Sequence, residues 1–310
     1  MTAESFVLGT RGSTLAVRQT EAVAAALRRA HPALTVSVLT IRTTGDERPE
    51  TPFEGLPGIG FFVKELEVAL LERRVDAAVH SMKDLPTAAT PGLTVCAVTA
   101  REDPRDVLVG RRGATLATLP RGARIGTGSP RRAAFVRAVR PDLQIVPIRG
   151  NVETRLRKVD TGELDAVLLA GAGLRRLGLE DRIGEWLPFE VILPAPGQGA
   201  LGVQVRIGDE TAAQIVSAVD DQPTRWAVTA ERAFLDRLQG GCRLPAGAHA
   251  IIRDGAVRLQ AAVVVPDGRR ALRGERNGPV SRAEAVGRAL AEDLLARGAG
   301  ELLRAVEAGG

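Results

Sequence analysis

A cysteine in the segment LQGGCRLPAG has the surroundings of a residue presented on a loop rather than packed in a strand. Cys242 follows two glycines and precedes an arginine, whereas the only other cysteine, Cys96, lies in the strand-like run LTVCAV. Glycine lets a ligand approach the backbone closely, and reactive thiols are found in partly exposed, cationic surroundings. Taken alone, the segment leaves three interpretations of Cys242 open: a nucleophile, a redox-sensitive thiol or an inert side chain.

The segment HSMKDLP places a charged pair directly after a short apolar run. Lys83 and Asp84 follow the predicted buried strand DAAVHS, and open α/β sheets bind ligands at the carboxyl ends of their strands. In that position Asp84 could transfer protons or stabilise a cation, and Lys83 could contact an anion. A solvated ion pair in a turn is the plain alternative.

Three strand-to-helix loops share one arrangement: a strand ends, a glycine follows, and a small polar residue that can cap the next helix stands near an arginine. The loops are LGTRGS (8–13), IGTGSPRR (125–132) and IRGNVETR (148–155). The N–H groups and the dipole at a helix N-terminus attract anions, and arginine adds a bidentate donor. Three such loops predict a site for several anionic groups. None matches a Walker or dinucleotide motif, so a nucleoside triphosphate is not favoured.

The histidines do not indicate a metal site. The chain has His31, His80 and His249, and with two distant cysteines they show no metal-binding spacing. We expect His31 to end a helix, His249 to begin a strand, and His80 to be structural although close to the site. Seven residues separate Cys242 from His249, which neither supports nor excludes a catalytic dyad.

The elements that must position these side chains alternate between short strands and helices over the first two-thirds of the chain, which predicts α/β layers. FVLGT (6–10) is a predicted strand, and a helix from Thr14 to Ala30 follows with Ser13 as its cap. FFVKELEVALLERR predicts another helix. Residues 45–60 are charged and rich in Gly and Pro, and we predict a mobile lid there. A second α/β unit begins near residue 100.

The last third of the chain has a different pattern. A helix with Pro223 near its first turn is followed by three predicted antiparallel strands, with turns at Asp254-Gly255 and Asp267-Gly268. SRAEAVGRALAEDLLARGAGELL then predicts a closing helix. Before this part, the Pro/Gly-rich stretch within 193–206 predicts a hinge.

Composition restricts the class of protein. Of the 42 basic residues in 310, only Lys64, Lys83 and Lys158 are lysines, so 39 are arginines. Codon bias explains most of that excess, and the 37 interspersed acids and absence of tyrosine disfavour a nucleic-acid protein. No apolar run reaches the roughly 18 residues of a membrane span. No export signal is evident and cysteines are few, so we expect a cytoplasmic protein.

Taken together, the motifs resemble one family, the porphobilinogen deaminases (hydroxymethylbilane synthases), in order and over essentially the whole chain. The segments that carry the resemblance are FFVKELEVALLERRVDAAVHSMKDLP, EDPRDVLV, IGTGSPRR, RGNVETRLRK, LDAVLLAGAGLRRLGL, LPAPGQGALG, TAERAFLDRLQGGCRLPAGAHA and PDG. The resemblance implies a transferase that joins four porphobilinogen molecules head to tail into the linear tetrapyrrole hydroxymethylbilane and releases ammonia each time. It also implies a dipyrromethane cofactor held by a thioether, which the motif places on Cys242.

The resemblance implies an α/β fold with two lobes like those of periplasmic binding proteins, an active-site cleft between them, and a small α+β C-terminal domain with a three-stranded antiparallel sheet. We expect residues 1–99 and 200–219 to form the first lobe, 100–199 the second, and 220–310 the C-terminal domain. The expected partners are porphobilinogen and the growing oligopyrrole chain, with no nucleic acid, membrane or metal. A monomer is expected.

The family's functional residues transfer onto matching positions of this chain. Asp84 is the expected catalytic carboxylate, close to the pyrrole N–H, where it stabilises the cation left by ammonia and moves protons. Besides Cys242, the expected cofactor-binding residues are Lys83, Thr127, Ser129, Arg131 and Arg132. The expected contacts to substrate or chain carboxylates are Arg11, Ser13, Gln19, Arg149, Arg155, Arg176 and Gln198.

The chain departs from the family's usual pattern at three positions. Ile59 stands in the lid where a lysine is common, which puts an ionic contact from the lid in doubt. Gly128 and Pro130 stand where Ser and Leu are common, but Ser129 is kept and Pro130 suits a first helical position. The main alternative to the family assignment is a different two-lobed anion-binding protein. It could be a transferase for a phosphorylated sugar or a solute-binding module.

Overall fold

The computed structural model describes residues 5–41, 63–238 and 244–302. The chain divides into two compact units: Met1–Glu102 with Ala200–Arg225, and Asp103–Gly199 with Trp226–Gly310. In the described parts of the chain, no helix has the length and apolar character needed to cross a membrane.

The strands are β1 (Ser5–Arg11), β2 (Thr35–Ile41), β3 (Ala77–Ser81), β4 (Leu93–Val98), β5 (Asp106–Gly110), β6 (Arg124–Gly126), β7 (Gln144–Val146), β8 (Ala166–Ala170), β9 (Glu185–Trp186), β10 (Leu201–Arg206), β11 (Ala246–Arg253), β12 (Ala256–Val264) and β13 (Ala271–Pro279). The α-helices are α1 (Thr14–Ala30), α2 (Lys64–Leu71), α3 (Pro130–Val139), α4 (Val152–Asp160), α5 (Gly171–Leu177), α6 (Glu210–Ser217), α7 (Gln222–Arg237) and α8 (Ala283–Ala296).

The first unit is built on a sheet in the order β2-β1-β3-β10-β4. β1 runs parallel to β2 and β3, whereas β10 runs antiparallel to β3 and β4. β10 comes from a distant part of the chain, and it is buried because it lies between two strands of this sheet. The return of the chain into the first sheet is therefore observed, and the hydrophobic pattern of that segment does not reveal it.

The helices of the first unit mostly follow the predictions. α1 has the predicted bounds, and its side chains Val23, Ala24 and Leu27 pack into the core with strands β1 and β3. α2 ends at Leu71, three residues before the end of the predicted pattern. The reason is local, because the backbone of Arg73 turns into the left-handed region at a φ of 58° and stops the helix.

The second unit contains a sheet in the order β7-β6-β8-β5-β9. β6 is parallel to β7 and β8, and β5 is antiparallel to β8 and β9. α3 and α4 follow β6 and β7, so their N-termini lie after the carboxyl ends of adjacent strands. This arrangement brings two of the three arginine-bearing loops to one edge of the sheet.

The second unit also contains the sheet β11-β12-β13, which is antiparallel throughout. Its first hairpin turns at Asp254 and Gly255, both with positive φ, as the Asp-Gly pair predicts. Helices α7 and α8 share one apolar core with the inner face of this sheet, and Ala262 and Val264 of β12 join the core that contains β5 and α3. The predicted fold class, α/β with two sheet lobes and a three-stranded antiparallel C-terminal sheet, is confirmed.

Candidate functional site

The carboxyl ends of β1 and β3 place three of the predicted site residues at one edge of the first sheet. The parallel register pairs Gly9 with Ala78, so Arg11 lies level with His80. A short 3-10 helix, Met82–Asp84, follows β3 and carries Lys83 and Asp84, both half-buried. The sheet therefore brings Arg11, Lys83 and Asp84 to a common edge, as the position of HSMKDLP predicts.

The loop after β1 leads directly into α1, and Ser13 caps this helix. The Ser13 hydroxyl accepts a hydrogen bond from Ala16 N at 3.3 Å, which satisfies one of the N–H groups at the helix start. Gln19 lies further along α1, on its buried face beside Thr20. The structure thus places Ser13 at the same end of the sheet as Arg11, but Gln19 inside the packed layer.

A buried polar network lies under this edge. His80 Nε2 bonds to Gln204 Oε1 at 3.1 Å, Gln204 donates to Glu67 at 3.0 Å, and Thr90 donates to the same Glu67 oxygen at 2.8 Å. Burial is the main cause that lowers the pKa of His80 to about 4, and the charge of Arg11 lowers it further. His80 is therefore neutral near pH 7 and supports β3 as a structural residue, as expected.

Two loops of the second unit, after β6 and after β7, run side by side. Thr127 N donates to Val146 O at 3.0 Å, and Ile148 N donates to Thr127 O at 3.4 Å. Glycine at position 128 is needed for this approach, because a Cβ there would lie 2.6 Å from Ile148 O. The sequence IGTGSPRR therefore forms one surface with IRGNVETR.

Both loops end in helix caps of the predicted kind. The Ser129 hydroxyl accepts from Arg132 N at 3.3 Å, and the Asn151 side chain accepts from Thr154 N at 2.9 Å. Pro130 occupies the first turn of α3, where its missing N–H costs nothing. The buried Thr127 hydroxyl accepts from Ser129 N at 3.1 Å and shapes the turn before the cap.

The arginines of these loops form a crowded cationic cluster. Arg155 donates from Nε to Gly150 O at 2.9 Å. Burial and the charges of Arg132 and Arg149 lower the pKa of Arg155 to about 10. The fold holds these like charges close together against their electrostatic repulsion, which is typical of a site that binds anions.

Arg131 and Arg132 are held by a residue that the sequence patterns did not single out. Asp106 begins β5, is fully buried, and accepts from Arg131 Nη1 at 2.6 Å and from Arg132 Nε at 2.9 Å. Burial opposes the charged form of Asp106, but the two guanidinium groups outweigh it and hold the pKa of the carboxyl well below its usual range. Both arginines also donate to backbone oxygens, those of Leu193 and Leu168.

Gln198 and Arg176 attach the segment before β10 to the second unit. Gln198 is buried and donates to Asp106 Oδ1 at 2.9 Å and to Pro104 O at 2.7 Å. Arg176, on the last turn of α5, donates to Gly199 O at 2.6 Å. Gln198 therefore shares its carboxylate partner with Arg131 and Arg132, whereas Arg176 contacts the neighbouring backbone.

The remaining titratable candidates have structural surroundings. His31 caps the end of α1 and bonds to Ile215 O at 3.0 Å, and His249 lies in β11 with its ring 4.0 Å from that of Phe189. Cys96 is a half-buried residue of β4, as expected, and burial raises the pKa of its thiol. Among residues 5–41, 63–238 and 244–302, no cluster of His, Cys, Asp and Glu could hold a metal ion.

Two predictions fall outside the described residues. These are the position of Cys242 and the lid at 45–60 with Ile59. Asp106 is the buried partner of the site arginines that sequence reasoning missed. A signal was present, because an acid directly before the apolar run VLV in the quoted motif EDPRDVLV favours a buried acid with charged partners.

Comparisons with known proteins match the chain along its length. Residues 6–214 match the family model described as porphobilinogen deaminase, dipyromethane cofactor binding domain, and residues 226–296 match the porphobilinogen deaminase C-terminal domain. The porphobilinogen deaminase of Desulforudis audaxviator is 50% identical over 303 residues, covering 98% of each chain. That of Roseiflexus castenholzii is 48% identical, covering 96% of this chain and 98% of its own.

A solved structure of the methionine binding protein MetQ is similar at a TM-score of 0.45 and 11% identity, covering 69% of this chain and 89% of that protein.

Proposed function

Because the chain belongs to the porphobilinogen deaminase family, we propose which of its residues perform each part of the family's reaction. The enzyme joins four porphobilinogen molecules head to tail into hydroxymethylbilane, with release of ammonia, in tetrapyrrole biosynthesis. The rival assignments, a transferase for a phosphorylated sugar and a solute-binding module, are wrong for this chain.

The observation that carries the assignment of roles is the clustering of arginines in the second unit. Each porphobilinogen ring bears two carboxylates, so a growing chain accumulates negative charge. Arg132 and Arg149 lie close enough to Arg155 to lower its pKa, and the buried Asp106 pairs with Arg131 and Arg132. Such a surplus of guanidinium forks is suited to carboxylate-rich ligands.

The same donor set fits the dipyrromethane cofactor, whose rings carry carboxylates. We propose that Lys83, Thr127, Ser129, Arg131 and Arg132 hold it and that Cys242 anchors it. When bound through its thioether, the dipyrromethane supplies the primer from which the pyrrole chain is extended and stays on the protein when the product leaves. Ser129 and Arg131 are suited to this role because both lie at the start of α3, where N–H groups and arginine act on the same anion.

We assign the carboxylates of substrate and growing chain to the remaining polar residues. Arg149 and Arg155 belong to the cationic cluster, and Arg11 and Ser13 lie at the edge of the first sheet that carries Asp84. Arg176, Gln198 and Gln19 complete the proposed set. Gln198 and Gln19 are buried, so they act by holding the surrounding backbone in place as much as by contacting the ligand.

Asp84 is the proposed catalytic residue. When the amino group of porphobilinogen's aminomethyl substituent leaves as ammonia, the C–N bond breaks and the methylene carbon stays on the pyrrole ring as an electron-poor cation. The half-buried Asp84 carboxylate, at the carboxyl end of β3, stabilises that cation near the pyrrole N–H. It then takes up the proton that the newly coupled ring loses.

We also propose three domains: residues 1–99 with 200–219, residues 100–199, and residues 220–310. We further propose that the enzyme is a cytoplasmic monomer that binds no nucleic acid. The separate sheets support the domains, and the interspersed acids support the absence of nucleic acid. Light scattering that gives twice the chain mass would contradict the monomer.

The test combines intact mass with turnover. The purified enzyme should carry an increment of two pyrrole units on the peptide that contains Cys242. Asp84→Asn should keep that increment and the fold but lose nearly all turnover, on the order of 100-fold or more, because general acid–base catalysis contributes that much. Asp181→Asn, an exposed acid of the second unit, is the control. Normal turnover in Asp84→Asn would exclude the catalytic role.

A further inference from the structure

We propose that Asp106 is a positioning residue that holds Arg131 and Arg132 in the geometry needed to receive the carboxylates of the dipyrromethane cofactor. The inference rests on the proposed roles of these arginines and deepens them.

Three donor side chains from two separate elements converge on Asp106. Arg131 and Arg132 lie in α3, Gln198 lies before β10, and Asp106 itself begins β5. Its Oδ2 accepts from Arg131 Nη1 at 2.6 Å, and its Oδ1 accepts from Arg132 Nε at 2.9 Å and from Gln198 Nε2 at 2.9 Å. A single buried carboxylate thus fixes the two guanidinium planes relative to each other and to β5. A rigid fork loses less freedom when it binds a second carboxylate.

The charge balance shows why a permanent anion is needed here. Two buried guanidinium groups next to each other repel, and Arg132 also lies close to Arg155. Asp106 pairs with both Arg131 and Arg132 at 2.6 and 2.7 Å, so the pair stays in place before any ligand arrives. Because one carboxylate faces two guanidinium groups, Asp106, Arg131 and Arg132 together keep a net positive charge that attracts an incoming anion.

Arg131 keeps part of its donor edge for that anion. Both hydrogen bonds that it makes to described residues leave from Nη1, one to Asp106 and one to Leu193 O. Its Nη2 and Nε make none to the described residues, and about 5% of the side chain is exposed. Asp106 and Leu193 therefore orient Arg131 by one nitrogen and leave the other side of the fork to a ligand.

The experiment measures how fast unloaded protein acquires its cofactor. Wild type, Asp106→Asn and Asp142→Asn are produced in cells that cannot make porphobilinogen, supplied with porphobilinogen, and sampled for the two-pyrrole mass increment at Cys242. Asp142→Asn is the matched control, because Asp142 also pairs with an arginine of the second unit, Arg140 at 2.8 Å. Thermal unfolding of each unloaded protein reports stability separately.

We expect folded Asp106→Asn to load about tenfold more slowly, the effect of losing one well-placed charged hydrogen bond, while Asp142→Asn loads at the wild-type rate. Equal loading by Asp106→Asn would leave Asp106 as a purely structural residue. If Asp106→Asn does not fold, loading is measured in Asp106→Glu, which keeps the negative charge but shifts the guanidinium groups. Slow loading of Asp106→Glu supports the proposal, and loading at the wild-type rate overturns it. A wild type that never gains the increment refutes the proposed function instead.

Discussion

Arg155 lowers the stability of the unloaded protein, and its replacement should therefore stabilise the fold while damaging the site. Burial and the neighbouring Arg132 and Arg149 lower its pKa from the ordinary arginine value to about 10. Each pKa unit corresponds to about 1.4 kcal/mol, so charging Arg155 in the folded cluster costs about 3 kcal/mol. Removing it also loses the hydrogen bond from Nε to Gly150 O, worth about 1 kcal/mol. We expect Arg155→Gln to gain about 2 kcal/mol.

The assay is urea unfolding in a Cys242→Ala background, where no covalent cofactor can supply carboxylates to the cluster. Arg157→Gln is the control, because Arg157 lies on the same helix α4 but is exposed. The folded pKa of Arg155 is the depressed one, so the charging penalty is fully present below about pH 10. The gain in Arg155→Gln should be constant from pH 6 to 9 and should shrink above about pH 10.

In protein that carries its cofactor, the gain should disappear or change sign, because bound carboxylates then compensate the charge of Arg155. Two results would refute the reasoning. One is a loss of stability in Arg155→Gln without cofactor. The other is an equal gain in Arg157→Gln, which would show that net charge rather than the local cluster is responsible.

Two further predictions concern the supports of the site. Burial lowers the pKa of His80 to about 4, so between pH 6.5 and 4 the unfolded chain binds a proton that the folded chain does not. The free energy of unfolding should therefore fall by up to about 3 kcal/mol over that range. In urea unfolding, His80→Gln should lose less stability than the wild type between pH 6.5 and 4. Gly171→Ala should cost about 1–3 kcal/mol in thermal unfolding, because its Cβ would lie 2.2 Å from the Trp186 ring. Gly12→Ala, with its nearest neighbour at 3.6 Å, should be nearly neutral; a similar loss there would contradict the steric explanation.

Much of the site could be predicted from the sequence, because its parts are local. The caps at Ser13, Ser129 and Asn151 follow from a small polar residue before an amphipathic run, and each accepts the expected backbone N–H. Lys83 and Asp84 lie just after a buried strand, as HSMKDLP predicts. Such features depend on residues three or four positions apart, so one sequence contains all the information they need. The resemblance added the identity of the ligands, which no spacing supplied.

Only the tertiary structure decided which of these parts meet. Asp106 reaches Arg132 across 26 positions and Gln198 across 92, and nothing in the pattern of either segment specifies that pairing. The same holds for β10, whose hydrophobic residues would suit any buried strand but which lies between β3 and β4. The sequence by itself determined where strands end, where helices begin and which charges stand there, because these are short-range preferences. Long-range contacts decided which charges share a buried carboxylate, because they depend on how whole sheets and helices pack.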